Sequence, residues 1–130
     1  MQTTYNKNEI PAMADEKCSV IYALEIIGGK WRLPIIWKLS KHETMRYNQL
    51  KRELEGITNI MLTRSLRYLE DRRLVERKEF DQIPPRVEYS LTDRAKELIP
   101  ALEIIKEWGA GEIEFDKKRA EEEASREQGA

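Results

Sequence analysis

The stretch Gly56-Ile57-Thr58-Asn59-Ile60-Met61-Leu62-Thr63-Arg64-Ser65-Leu66-Arg67-Tyr68-Leu69-Glu70-Asp71-Arg72-Arg73 decides how the chain is read. Leu62, Leu66 and Leu69 fall at i, i+4 and i+7, the repeat of one helix face. Thr58 stands where an N-cap is wanted, since its hydroxyl accepts from an amide that has no partner inside the helix. The spacing predicts a long amphipathic helix from about Asn59 to Arg73, with Asn59, Ile60, Thr63, Arg64 and Arg67 off the apolar stripe. Glu55-Gly56-Ile57-Thr58 is a tight break, and ahead of it Tyr47, Leu50 and Leu54 mark a shorter helix. Two helices joined by about four residues that include glycine form the helix-turn-helix pattern. An ordinary helical hairpin has the same local signature, so the flanking chain has to separate them.

Downstream, Val75 to Phe80 reads as a strand of imperfect alternation. Arg86 to Leu91 alternates better, with Val87, Tyr89 and Leu91 on one face. Between them Asp81-Gln82-Ile83-Pro84-Pro85 is rich in turn formers, and the two prolines do not fit a central strand. A hairpin directly after such a helix is a wing. Upstream, Val20, Ala23, Leu24 and Ile27 recur on one helix face that Gly28-Gly29 ends. No strand precedes these glycines and no spaced Gly-Lys-Ser/Thr follows, which argues against a phosphate loop. Trp31, Ile35 and Leu39 carry a second helix with Pro34 in its first turn, where a missing N–H costs little. A last helix is expected to open at Thr92-Asp93, to bury Leu98, Leu102 and Ile105, and to kink at Pro100; Trp108 extends its apolar surface. Trp31, Trp37 and Trp108 read as core or dimer packing rather than as an effector pocket.

The expected fold class is therefore mainly α with a small β-hairpin, a winged helix-turn-helix whose first and last helices offer a dimer surface. Residues 1–16 are assigned to an N-terminal arm, 17–110 to the winged domain and 111–130 to a charged tail. That tail either extends a helix or stays without order. A chain of 130 residues supports one modest core. No apolar run approaches the roughly 20 residues of a membrane span, and Met1 to Glu9 has no apolar signal core. A cytoplasmic location and no membrane partner are expected. One cysteine excludes an internal disulfide, and one histidine with one cysteine offers neither a metal-ligand cluster nor a nucleophile–base set. No enzyme, metal or cofactor is expected. His42 reads as a surface turn residue.

The formal net charge of −1 conceals a segregation. Residues 30–90 hold 14 Lys/Arg against 9 Asp/Glu, a balance of +5, whereas residues 91–130 hold 7 against 11 and residues 1–29 contribute −2. A basic middle between acidic ends fits a nucleic-acid partner, and chance clustering on a solvated surface gives the same numbers.

The ordered motifs resemble the HxlR family of bacterial winged-helix transcriptional regulators, relatives of the MarR group. The residues that carry the resemblance run from Cys18 through Ile27-Gly28-Gly29-Lys30-Trp31 and Arg46-Tyr47 to Gly56-Ile57-Thr58. They continue with Leu62, Leu66-Arg67, Leu69-Glu70 and Leu74-Val75-Glu76-Arg77. Pro84-Pro85-Arg86-Val87-Glu88-Tyr89-Ser90-Leu91-Thr92, Leu98, Pro100, Leu102 and Trp108-Gly109 complete the set. Three positions depart from the family pattern: Arg73 and Ala95 stand where glycine is usual, and Ile60 stands where a polar or basic residue is common. The last departure means that no operator sequence can be borrowed.

The resemblance implies sequence-specific binding of double-stranded DNA by a homodimer over an inverted repeat, with repression as the default outcome. On the residues themselves, Asn59, Ile60, Thr63, Arg64 and Arg67 fall near the helix half that usually reads bases, with Thr58 at its start. Asn59 suits adenine, Arg64 or Arg67 suits guanine, and Ile60 suits a thymine methyl. Arg46, Asn48, Lys51 and Arg52 suit phosphates, and Arg86 beside the double proline suits a wing contact. Cys18, next to Lys17 and a helix start, is a candidate thiolate sensor for an oxidant or electrophile, as the resemblance also implies; an inert small residue fits it as well. Two alternatives stay open: a winged-helix module that binds protein, and a regulator that senses a small-molecule effector without redox control.

Overall fold

The computed structural model describes residues 18–129, which divide into two compact units, the first ending at Lys96 and the second beginning at Glu97. The expected arm, and Lys17 beside Cys18, lie outside the described residues. The first unit contains α1 (Ser19–Ile27), α2 (Arg32–Ser40), α3 (Tyr47–Glu53), α4 (Asn59–Asp71), β1 (Val75–Phe80), β2 (Arg86–Leu91) and α5 (Asp93–Lys96). The second consists of one long helix, α6 (Ile99–Gly129), and the turn before it. Mainly helical with one two-stranded hairpin, this is the expected fold class.

Each element of the first unit follows from a local cause. Gly28 ends α1 by donating its N–H to the Leu24 carbonyl at 2.7 Å, an approach so close that a Cβ at this position would lie 2.2 Å from that oxygen. Pro34 occupies the third position of α2, as its missing donor requires. Gly56, at φ 87°, makes the turn between α3 and α4 in the left-handed region open to glycine. The Thr58 hydroxyl then accepts from the Met61 N–H at 3.2 Å and caps α4.

The core gathers on the stripe of α4. Leu62, Leu66 and Leu69 are buried together with Ile35, Ile36 and Leu39 of α2 and Leu50 of α3. Burying such side chains contributes at most about 1.5–3 kcal/mol each, so this cluster supplies much of the stabilisation of the unit. The hairpin closes one side of it. Val75 pairs with Leu91 and Phe80 with Arg86 at the two ends of the antiparallel register, and β1 packs on α4. A single bridge adds the loop before α3 to this sheet. Met45 donates to the Tyr89 carbonyl at 2.9 Å, and Tyr89 donates back at 2.8 Å.

Arg32 ties the first helix to this frame. Its guanidinium donates to the Glu25 and Ile26 carbonyls at 3.3 and 3.0 Å and lies 3.5 Å over the Tyr68 ring. A cation thus meets the carbonyl end of α1, where the helix dipole favours it. The apolar face read for α1 is turned to solvent at Val20, Ala23 and Leu24 and half-buried at Ile27, and the neighbouring Ile21 is exposed as well.

The last helix differs from the expectation in three respects. Thr92 does cap a helix, accepting from the Ala95 N–H at 3.2 Å, but that helix is only the four-residue α5. The chain then turns at Glu97-Leu98 and α6 starts afresh at Ile99. Pro100 therefore sits at the second position of a new helix rather than kinking an old one, which suits its missing donor. Leu102 is buried as expected, whereas Ile105 is 55% exposed and does not join a buried stripe. Beyond residue 110 the tail continues the same helix, aided by i,i+3 and i,i+4 pairs between Lys117 and Glu114 and between Arg119 and Glu123.

The departure at Arg73 now has a physical content. The N–H groups of Arg73 and Leu74 donate to the Glu70 and Leu69 carbonyls, both at 2.9 Å, which closes α4 with a Schellman pattern. That pattern wants glycine at the left-handed position, and Arg73 is held there at φ 58°. Arg73→Gly removes the strain of a side chain in this region, and is expected to stabilise the fold by about 0.5–1 kcal/mol and raise Tm by about 2–5 °C. Thermal denaturation followed by circular dichroism checks this, and an unchanged or lower Tm contradicts it.

Candidate nucleic-acid interface

The bare side of α4 is built by the same residues that bury its other side. With Leu62, Leu66 and Leu69 facing inward, Thr58, Asn59, Ile60, Arg64 and Arg67 are exposed and Thr63 is half-buried. Ile60 is 66% exposed and Met61 44%, an apolar pair on the first turn of the helix. Arg64 and Arg67 follow one and two turns further on. The helix thus presents a surface that is apolar and amide-bearing at its start and cationic toward its middle.

Tyr47 joins this surface to α3, and the sequence reading missed its role. Its hydroxyl donates toward the Asn59 carbonyl at 3.0 Å and toward Asn59 Oδ1 at 3.4 Å, and lies 3.0 Å from Thr63 Oγ1. Read as one position in an apolar repeat, Tyr47 drew attention to its ring; the hydroxyl gave no periodic signal. Arg46, the N-cap residue of this short helix, and Asn48 are exposed, Lys51 is half-buried and Arg52 is exposed.

A cavity of about 430 Å³ lies between α3, α4 and the hairpin, with Tyr47, Thr63, Arg67, Glu70, Arg77 and Tyr89 among its walls. Burial pushes the Glu70 carboxyl above the usual range, and the neighbouring Arg77 opposes that shift. Hydrogen bonds to Glu79 and then Tyr89 hold the Arg77 guanidinium more firmly charged than usual. Arg67 of the helix thus borders the same cavity as Arg77 of the hairpin, a wing cation that sequence reading did not select.

Arg86 is where the wing contact was expected, at the start of β2, but it is drawn back. Its guanidinium lies 3.9 Å over the Phe80 ring and its Nε is 3.3 Å from Glu88 Oε2. At the tip beyond it, Ile83 is fully exposed. His42 is at the surface as expected, with its Nε2 3.5 Å from Glu53 Oε2.

Cys18 stands apart from these groups, as the N-cap residue of α1 and exposed to solvent. The amides of Ile21 and, second, Val20 hold its thiol below the usual pKa, with slight desolvation opposing them. Trp31 and Trp37 are half-buried, while Trp108 is 69% exposed. Among the described residues no group of three His, Cys, Asp or Glu is placed to hold a metal ion, and no helix is long and apolar enough to cross a membrane.

Comparison with known proteins gives the arrangement its context. Residues 26–117 match the profile of the HxlR-like helix-turn-helix family. An HTH-type transcriptional regulator of Halalkalibacterium halodurans, BH0655, is 49% identical over 88 residues, which is 68% of this chain and 78% of that protein. Among solved structures, the redox regulator HypR in its oxidized form is 39% identical with a TM-score of 0.68, covering 72% of this chain and 96% of that one. The diamide-treated YodB of B. subtilis is 25% identical with a TM-score of 0.61, covering 73% and 94%.

The lowered thiol pKa has a direct consequence. Because the thiolate reacts and the thiol does not, the rate of Cys18 alkylation by iodoacetamide is expected to rise with pH to a midpoint below the roughly 8.5 of free cysteine. Mass spectrometry of the native chain over a pH series measures it. A midpoint at or above that of a cysteine peptide contradicts the geometry.

Proposed function

Because the chain belongs to the HxlR-like helix-turn-helix family of transcriptional regulators, we propose that it represses transcription by reading an inverted-repeat operator as a homodimer. The observation that carries this reading is the divided surface of α4. Its leucine stripe is buried, while Asn59, Ile60, Arg64 and Arg67 stay exposed on a helix capped by Thr58 at its first turn. In this account α4 lies in the major groove. Arg64 and Arg67 suit the acceptor edge of guanine, and Ile60 with Met61 suits thymine methyl groups. Arg46, Asn48 and Lys51 approach phosphates of the flanking backbone, which fixes register without reading sequence. The hairpin tip reaches the adjacent sugar-phosphate backbone or minor groove, with Arg86 held behind it against Phe80 and Glu88.

Two exposed apolar surfaces support the dimer. On α1, Val20, Ile21 and Leu24 face solvent; on α6, Ile104, Ile105, Trp108, Ile113 and Phe115 are 49–69% exposed. Large exposed side chains in rows of this kind mark interaction surfaces. A second copy of the chain covers them, and the two α4 helices then stand about one DNA turn, roughly 34 Å, apart. Trp108→Asp is expected to shift the chain to a monomer in sedimentation at micromolar concentration. A wild-type chain that sediments as a monomer contradicts the dimer.

Cys18 is proposed as the switch, for which its exposure, its lowered pKa and the redox regulator HypR among the structural relatives give support. An oxidant or electrophile that modifies this thiol places a new group at the start of α1, beside the proposed dimer surface. Cys18→Ser is expected to keep DNA binding and to abolish release by an electrophile such as a quinone. Release that persists in the variant favours a small-molecule effector bound elsewhere.

The binding itself is tested by salt. If several phosphates are neutralised, log affinity falls linearly with log salt concentration at a slope near −0.9 per contact. Lys51→Ala is expected to reduce that slope by about one and to weaken all sequences alike, whereas Arg64→Ala costs about 1–3 kcal/mol, mainly on the specific site. Salt-titrated fluorescence anisotropy with specific and scrambled duplexes separates the two. No measurable duplex binding at low salt favours the protein-binding module instead.

A further inference from the structure

The Tyr47 hydroxyl sits where the two helices of the helix-turn-helix meet, and its bonds set the chemistry that the reading helix displays. A phenol has one proton to give, and its oxygen also accepts. Toward Asn59 that proton is shared between the main-chain carbonyl at 3.0 Å and Oδ1 at 3.4 Å, and the phenolic oxygen also lies 3.0 Å from the Thr63 hydroxyl, a contact in which either oxygen can donate. The carboxamide of Asn59 is planar. With Oδ1 directed at Tyr47, its amino end is directed away from α3, and Asn59 is exposed.

We infer that Tyr47 is a specificity-determining residue: it orients Asn59 so that the carboxamide offers a donor, rather than a donor and an acceptor together, to the base it meets. Adenine is matched by asparagine through two bonds, one donated to N7 and one accepted from the N6 amino group. Oδ1 keeps a second lone pair, but a carboxamide turned toward Tyr47 is not oriented for both bonds at once, which disfavours the second of these. A donor alone matches acceptor edges, which are N7 and O6 of guanine and O4 of thymine. The inference rests on the proposal that α4 reads the major groove, and it replaces adenine with guanine or thymine opposite Asn59. Tyr47 acts through Asn59 and need not touch DNA.

The test is selection from a randomised duplex DNA library by the full chain, with sequencing of the bound pool. Wild type, Tyr47→Phe, Asn59→Ala and the double variant are compared, and Tm is measured for each. The base position facing Asn59 is the one whose preference Asn59→Ala removes. Wild type is expected to hold guanine or thymine there. Tyr47→Phe, which keeps the ring and the core, is expected to keep its Tm, to lose roughly threefold to tenfold of that discrimination in favour of adenine, and to leave the other positions unchanged. In the Asn59→Ala background the same substitution should change nothing at that position. Adenine in the wild-type motif, no position that depends on Asn59, a Tyr47→Phe motif that superimposes on wild type, or an equal loss at every position each overturns the inference while leaving the DNA reader in place. A wild-type chain that enriches no motif removes the DNA-reading premise as well.

Discussion

Everything in the first unit turns on one constraint: α4 has to bury Leu62, Leu66 and Leu69 without burying the opposite face. The stripe alone does not accomplish this, because a helix with one apolar face could be covered on its flanks as well. The neighbours decide it. Ile35, Ile36 and Leu39 of α2, Leu50 of α3 and the inner residues Val75 and Leu91 of the hairpin meet the stripe or border it, and together they fill the apolar space. What remains of α4 is left for a partner. The Thr58 cap at one end and the closure at Arg73 at the other keep the helix at full length.

Around that constraint the polar bonds serve position rather than bulk stability. Arg32 holds the end of α1 and stacks on Tyr68, so one guanidinium links three helices. Thr92 caps α5 and also donates to the Arg73 carbonyl at 2.8 Å, which ties the end of the hairpin to the end of α4. Tyr47 performs the corresponding task at the start of α4. Each of these side chains donates to or accepts from the main chain of another element. They fix where the exposed face of α4 stands relative to the hairpin that accompanies it.

The fold was legible because its signals are periodic or positional. Leucines at helical spacing, glycine at the turn, threonine at the cap and a double proline between strands each have one physical reading, and all of them recur in the structure. What escaped the sequence was set by single atoms and by partners. The Tyr47 hydroxyl looks like any ring in a repeat. Arg86 reads as a free wing cation until Phe80 and Glu88 are seen around it. The break at Glu97-Leu98 was invisible because Leu98 and Leu102 keep helical spacing across it, and Pro100 signalled a disturbance without saying whether the helix bends or restarts. The exposed faces of α1 and α6 have a similar origin, since periodicity reports that a face is apolar and says nothing of what covers it.

In the proposed mode, α4 reads DNA in pairs, two copies over one inverted repeat. Hydroxyl-radical footprinting of a duplex selected by the wild-type chain tests it most directly. Two protected tracts related by the symmetry of the site are expected, with centres about one helical turn, roughly 10 base pairs, apart. A single tract over one half-site, or protection that ignores the repeat, would contradict it.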